Sequence, residues 1–344
     1  MTLKINKNQI SRLVFSITVV LFAFGNCAKA HHGGEGLSGV GIAGPIITVP
    51  ASTLPKKKKF ISIFTDYINF NEFSNSKLME LDRRGEHVHS TASLFVPSIS
   101  AGYGLTDNLT LGFKLPYVFR FGLKDIHDAE VGKRGNSIGV GDITFFSQYR
   151  FYKNKKSNLN AAIVTALKIP SGVTRTKGRD GEIFEADEQP GSGSWDPLVG
   201  LAISKKLGKF SVDTNGLYKF VTNGSQGSNL GDVVSYNLAV SHRLFNQGEF
   251  SFSQKHYGTQ LAKKITFDTI LEANGTWSQK PNTFHGFIDQ NHGGTLIYLS
   301  PGFRFTYDNK WIWSTSVGLP TIEDLNGRQK APSIRLITAI TKAF

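Results

Sequence analysis

The chain has 344 residues, of which 19% are charged and 12% aromatic, with 36 glycines, one cysteine and a mean hydropathy of −0.17. Soluble domains usually carry about a quarter charged residues, so the balance points away from a solvated globule. The formal charge of +13 is basic enough for a nucleic-acid partner, but the secretory leader that opens the chain sets that partner aside.

Residues 1–30 read as a signal peptide. Lys4, Lys7 and Arg12 form a basic start, Leu13 to Phe24 an apolar run, and Ala28-Lys29-Ala30 the small residues a signal peptidase reads. The run is too short for a membrane-spanning helix, which needs about twenty residues. Cleavage after Ala30 also removes Cys27, leaving no thiol for disulfides or cysteine-bound metals. Four bases and no acid leave with it, so the mature charge is +9, which suits an anion-attracting lumen or contact with acidic lipopolysaccharide.

Residues 31–58 are expected to form a flexible periplasmic segment. It opens on His31-His32-Gly33-Gly34-Glu35, where amine and imidazole nitrogens offer copper or nickel a weak site without fixed supporting partners. Lys56 to Lys59 are expected at the inner-leaflet boundary, where cations meet phosphate headgroups. No cofactor is expected.

From residue 59 to 344 one unit repeats: a strand of about a dozen residues alternating apolar and polar, then a turn or loop. In the cleanest case Leu109, Leu111, Phe113, Leu115, Tyr117, Phe119 and Phe121 share one face, with Lys114 and Arg120 on the other. The stretches 142–152, 159–169, 210–220, 234–244 and 297–307 repeat the pattern, and none shows the 3.6-residue period of a helix. Connections alternate between short and long, and aromatic residues gather near strand ends, as at Trp311 and Trp313. A soluble sandwich with one buried face is the competing architecture. The girdles and the leader favour an all-β, closed antiparallel transmembrane β-barrel of about 12 strands, with short turns in the periplasm and long loops outside. The connection 246–264 breaks the alternation. The chain ends on Phe344 after alternating Ile334, Leu336, Thr338 and Ile340, a terminal signature resembling the one read by the barrel-assembly machinery.

Several stretches together resemble the outer-membrane transporter-like family labelled meta-pathway of phenol degradation. They include His31-His32-Gly33-Gly34, Gly44-Pro45-Ile46-Ile47-Thr48, Tyr103-Gly104-Leu105-Thr106-Asp107-Asn108-Leu109 and Leu115-Pro116-Tyr117. Gly191-Ser192-Gly193-Ser194-Trp195-Asp196-Pro197 is the most specific, and Tyr298-Leu299-Ser300-Pro301-Gly302 and Leu325-Asn326-Gly327 follow. Lys56 to Lys59 depart from the family's usual glycine and single base. The resemblance implies a barrel associated with uptake of small, often aromatic or hydrophobic, compounds.

The inward-facing charges are the candidate site. Lys114, Arg120, Arg150, Lys168, Lys219, Arg243, Arg304 and Arg335 stand against Asp142, Asp213, Asp268 and Glu272. They either select solutes by sign in an open lumen or pair across it and fill it. The loop 172–194 either lies solvated on the surface or folds inward as a constriction. His87, His89, His127, His285 and His292 fall in outer loops without a Gly-x-Ser-x-Gly nucleophile elbow, so no enzyme is expected. Passive uptake of small molecules is the leading function; a structural or adhesive barrel and a rim-active hydrolase are the alternatives.

Overall fold

The computed structural model describes residues 44–86, 88–127, 130–247, 264–282 and 288–344. The leader, His31 and His32, His87, His285 and most of the 246–264 connection lie outside the described residues. The strands are β1 (Lys59–Phe70), β2 (Ser93–Thr106), β3 (Leu109–His127), β4 (Glu130–Val140), β5 (Thr144–Asn154), β6 (Leu159–Lys168), β7 (Asp196–Leu207), β8 (Phe210–Lys219), β9 (Val233–Gln247), β10 (Ile265–Ser278), β11 (Gly294–Tyr307), β12 (Trp311–Leu325) and β13 (Pro332–Ala343). Among the described residues one α-helix, α1 (Asn75–Arg83), sits in the loop after β1, its first turn capped by Ser74, which accepts from the Lys77 N–H at 3.2 Å.

All thirteen strands belong to one antiparallel sheet. It closes because β1 pairs with β13 on one side and β2 on the other, with Phe60 opposite Ala343 and Gly102. β4 and β5 share one neighbour. Leu109 to Lys114 of β3 pair with β5, and Tyr117 to His127 of the same strand pair with β4. The two segments form one stave interrupted at Gly141, Asp142 and Ile143, so the barrel has twelve positions around its wall. Closure through β1 and β13 satisfies the backbone groups of the terminal strands inside the sheet; β4 pairs with β3 alone.

Local chemistry explains the turns. Asp308 and Asn309 both adopt positive φ, 54° and 53°, as the two central residues of a type I′ hairpin turn require. The stretch 122–136 is largely strand. Leu123 is 1% exposed, and the strands continue as a hairpin pairing Ile126 with Val131.

Side chains alternate as a lipid-facing wall demands. On β1, Ile61 and Ile63 are 51% and 58% exposed, whereas Phe60 and Phe64 are buried. Leu201, Tyr149, Phe151 and Ile340 continue the outer belt. So broad an apolar surface is incompatible with water and suited to hydrocarbon. At the end with the short turns a ladder of Phe245, Phe267, Phe303 and Trp313 crosses four strands, with centroids 5.2–5.6 Å apart. Near the loop end, Phe95, Tyr117, Phe119 and Phe121 form a second group at 4.9–6.0 Å. Two aromatic girdles bounding an apolar band are the marks of a membrane barrel.

Candidate functional site

The interior is filled at two levels. At the level nearer the short turns, residues 44–54 run through the lumen instead of forming part of a flexible periplasmic segment. Ile46, Ile47, Thr48, Val49 and Ala51 are buried. The physical reason lies in their backbone: an unpaired N–H inside a barrel is costly, and the wall provides an acceptor for each donor in turn. The Glu272 carboxylate accepts from the N–H groups of Ile46, of Ile47 at 2.9 Å and of Thr48 at 3.2 Å. Asn215 Oδ1 accepts from Val49 N, Ser204 Oγ from Ala51 N and Thr110 Oγ1 from Leu54 N, each at 2.8 Å. Gln148 donates to the Pro50 carbonyl, and Arg304 Nη2 donates to that of Pro45 at 2.7 Å. Gly302 lets the segment approach β11, since a Cβ there would meet Ile46 Cδ1 at 2.7 Å. Ile46 and Ile47 pack with Phe64, Ile270 and Ile337, so the segment adds an apolar layer to an otherwise polar interior.

At the opposite level the connection between β6 and β7 folds inward. Phe184, Ala186, Glu188 and Gln189 are buried. Its root is an ion cluster. Lys168 Nζ lies 2.6 Å from Asp196 Oδ2 and 3.6 Å from Asp142 Oδ2. Asp142 also accepts from the backbone N–H groups of Gly172 and Ser192, each at 2.8 Å, and from Ser192 Oγ. This approach requires glycine. A Cβ on Gly172 would fall 2.8 Å from Gly191 Cα and 2.9 Å from Asp142 Oδ1, and one on Gly191 would collide as closely with Gly172. Thus Ser192, Ser194 and Asp196 of the Gly-Ser-Gly-Ser-Trp-Asp-Pro stretch are buried inside, while Trp195 is 54% exposed on the wall.

The β3–β4 hairpin and the connections around His89 and His292 clamp the inserted one. His89 Nε2 lies 3.2 Å from Glu185, and His89 Nδ1 3.6 Å from Asp125. Arg134 reaches Asp180 at 3.1 Å, Asp125 at 3.6 Å and Glu188 at 3.9 Å. His292 bonds Asp289 and lies 3.5 Å from Asp187, while Arg120 donates to the Asp187 carbonyl at 2.8 Å. Burial opposes the charge on His89, but the hydrogen bond that His89 donates to Glu185 and the fields of Glu185, Glu188 and Asp125 outweigh it and raise its pKa to about 10. Burial pushes Glu188 up to about 7 against the pull of His89. His292 follows His89: burial opposes its protonation, and its bond to Asp289 raises its pKa all the same.

Between the two levels lies a chamber of about 180 Å³. Phe64, Ile68, Leu94, Val96 and Val118 give it an apolar wall, and Lys114, Arg120, Lys168 and Lys219 bring positive charge against Asp66, Asp142, Asp187 and Asp196. Lys114 Nζ stands 4.8 Å over the Phe64 ring, a cation–π contact.

The twelve inward charges expected from the sequence therefore divide. Lys114, Arg120, Asp142, Lys168 and Lys219 line the chamber. Glu272 and Arg304 hold residues 45–48. Asp213 accepts from Ser204 and Ser211, and Asp268 pairs with Arg243. Arg335 makes a bidentate pair with Asp66, at 2.9 and 2.6 Å. Arg150 stands at the rim, held by the Asp107 carbonyl at 2.7 Å and Asn108 Oδ1 at 3.0 Å. Several of these charges thus pair or bond within the wall, and residues 44–54 and the β6–β7 connection occupy part of the lumen. Sequence reasoning missed Asp66, whose alternation on β1 was a usable signal, and the lumenal course of residues 44–54, for which no local signal exists.

No family model and no curated protein matches the chain by sequence. Solved structures do. The chain is similar to the crystal structure of an outer membrane channel from Pseudomonas putida F1, with a TM-score of 0.52 and 18% identity, over 86% of this chain and 98% of that one. The fold is shared with an outer membrane channel. LpxR from Salmonella typhimurium matches at a TM-score of 0.42 and 12% identity, over 82% of this chain and 99% of that one. The CymD monoaromatic hydrocarbon channel matches at 0.40 and 10%, over 84% and 88%.

Proposed function

We propose that the protein is an outer-membrane channel for passive uptake of small molecules, kept narrow by residues 44–54 and by the inserted β6–β7 connection. The chamber between these two elements carries the reading. A barrel serving only as a support gains nothing from an internal space walled by both apolar groups and charge, whereas a solute path needs one. At about 180 Å³ the space suits a molecule of roughly one aromatic ring, since cavities near 150 Å³ admit benzene. Small aromatic or hydrophobic compounds, or small anions, are the substrate classes. The resemblance to the phenol meta-pathway family agrees with the first, and the lysines of the chamber with the second.

Single-channel recording of the refolded protein in planar bilayers tests the reading. Small, resolved conductance is expected from the wild type, and larger conductance once residues 44–54 are released. A barrel silent in both forms overturns it and leaves a structural or adhesive role.

A further inference from the structure

The end of the barrel that carries the short turns also carries a dense ring of lysine. The β5–β6 turn presents Lys153, Lys155 and Lys156, all exposed, and the β7–β8 turn presents Lys205, Lys206 and Lys209, also exposed. Lys56 to Lys59 enter β1 at this same end, beside the chain end, where the Phe344 N–H donates to the Lys59 carbonyl at 2.9 Å. Among the described residues the acids at this rim are Asp107 and Asp308. Both are engaged: Asp107 accepts from the Lys56 N–H at 2.9 Å, and Asp308 pairs with Lys310 at 3.0 Å. The loop end is different, because its bases are interleaved with acids, as in the Arg134 and His89 clusters.

Where the lysines sit decides what they meet. They lie directly at the margin of the apolar belt, next in sequence to outward-facing Phe151, Tyr152, Ile203, Leu207 and Phe210. At the seam between β12 and β13 the Lys342 ammonium stands 5.0 Å over both the Trp311 and Phe344 rings. Aromatic side chains settle at the headgroup level of a bilayer, so ammonium groups on the same contour are placed among lipid phosphates rather than in bulk water. A soluble polyanion would meet charge on the end face, without lysine tied into the aromatic girdle.

We propose that this ring binds the headgroups of anionic phospholipid in the leaflet facing the periplasm. The short turns mark that side. The ring fixes the depth of the barrel in the membrane and collects a shell of phosphatidylglycerol-type lipid around it. This goes beyond the channel reading and stands whether or not solute passes.

The test uses the refolded full-length mature chain in phosphatidylcholine vesicles containing a minority of spin-labelled lipid, either phosphatidylglycerol or phosphatidylcholine. The motionally restricted fraction reports which lipid contacts the protein. Phosphatidylglycerol is expected to be favoured about five-fold at low salt, the scale of one well-placed lysine at a lipid surface, and less at high salt. Replacing Lys153, Lys155, Lys156, Lys205, Lys206 and Lys209 with Gln should lower the ratio markedly. Lys133→Gln with Lys177→Gln at the loop end should leave it unchanged. Heat-modifiable migration on a gel verifies that each variant has folded. Equal retention of the two lipids by the wild type overturns the proposal, as does a ratio unaffected by the six substitutions. Preference for lipopolysaccharide over phosphatidylglycerol, lost in the same variant, also overturns it, because the ring would then lie in the outer leaflet. Binding to cell-wall sacculi without lipid preference overturns it as well.

Discussion

The carboxylate of Glu272 lies 2.9 Å from the backbone nitrogen of Ile47, a residue 225 positions earlier in the chain. One buried acid on β10 thereby holds three successive N–H groups of a segment that belongs to no strand. Charge-assisted bonds of this kind are stronger than neutral ones.

Replacing Glu272 with Ala should release the segment. Three buried donors lose their acceptor, at about 1–3 kcal/mol each. Single-channel conductance should rise several-fold, with Glu272→Gln intermediate because an amide oxygen still accepts. Unchanged current through the Ala variant would mean that this carboxylate is no latch.

Lys168→Met should destabilise the barrel by about 3–5 kcal/mol, because it strands buried negative charge. Asp196 is 1% exposed and Asp142 6%. Denaturant unfolding in detergent measures the loss. The triple variant Lys168→Met, Asp142→Asn, Asp196→Asn should recover part of it, since no net charge is then left unpaired. Failure to recover would show that hydrogen bonds, not charge, dominate the cluster.

Gly172→Ala should lift the inserted connection at its root. The new methyl meets backbone at 2.8 Å, and overpacking of this kind costs about 1–3 kcal/mol. The Ser192 amide, which donates to Asp142 at 2.8 Å, should exchange its hydrogen faster by ten-fold or more. Wild-type protection in the variant would exclude this close approach.

The clamp on the inserted connection should weaken as pH rises. Glu188 is raised from 4.5 to about 7 and His89 from 6.5 to about 10, so the clamped state binds more protons than the lifted one across this window. Linkage then makes clamping strongest near pH 4.5 and progressively weaker toward pH 10. Amide exchange across residues 184–189, corrected for its intrinsic pH dependence, should show less protection at pH 9 than at pH 6. His89→Gln should flatten the upper part of that profile. Protection that grows with pH would contradict the assignment.

Much of the wall was legible in the sequence. Alternation on Leu109 to Phe121 placed Leu111, Phe113 and Tyr117 outward, where they are 40%, 38% and 41% exposed. Period-two geometry makes each residue's face a local property, readable without knowing its neighbours. The interruption at Gly141 to Ile143 was not read, because β4 and β5 share a stave only through their common partner β3.

The course of residues 44–54 and the fold of 172–194 were decided elsewhere. Gly44-Pro45-Ile46-Ile47-Thr48 has no period, since it pairs with side chains and not with a ladder. Its acceptors at Thr110, Asn215 and Glu272 come together only when the sheet closes. The sequence by itself determined a barrel of about twelve strands with a greasy outside and a charged inside, because lipid acts on every strand separately. Whether that inside stood open or filled was left to tertiary structure. An unpaired backbone donor finds its carboxylate only across the lumen, at a distance along the chain that no local pattern encodes.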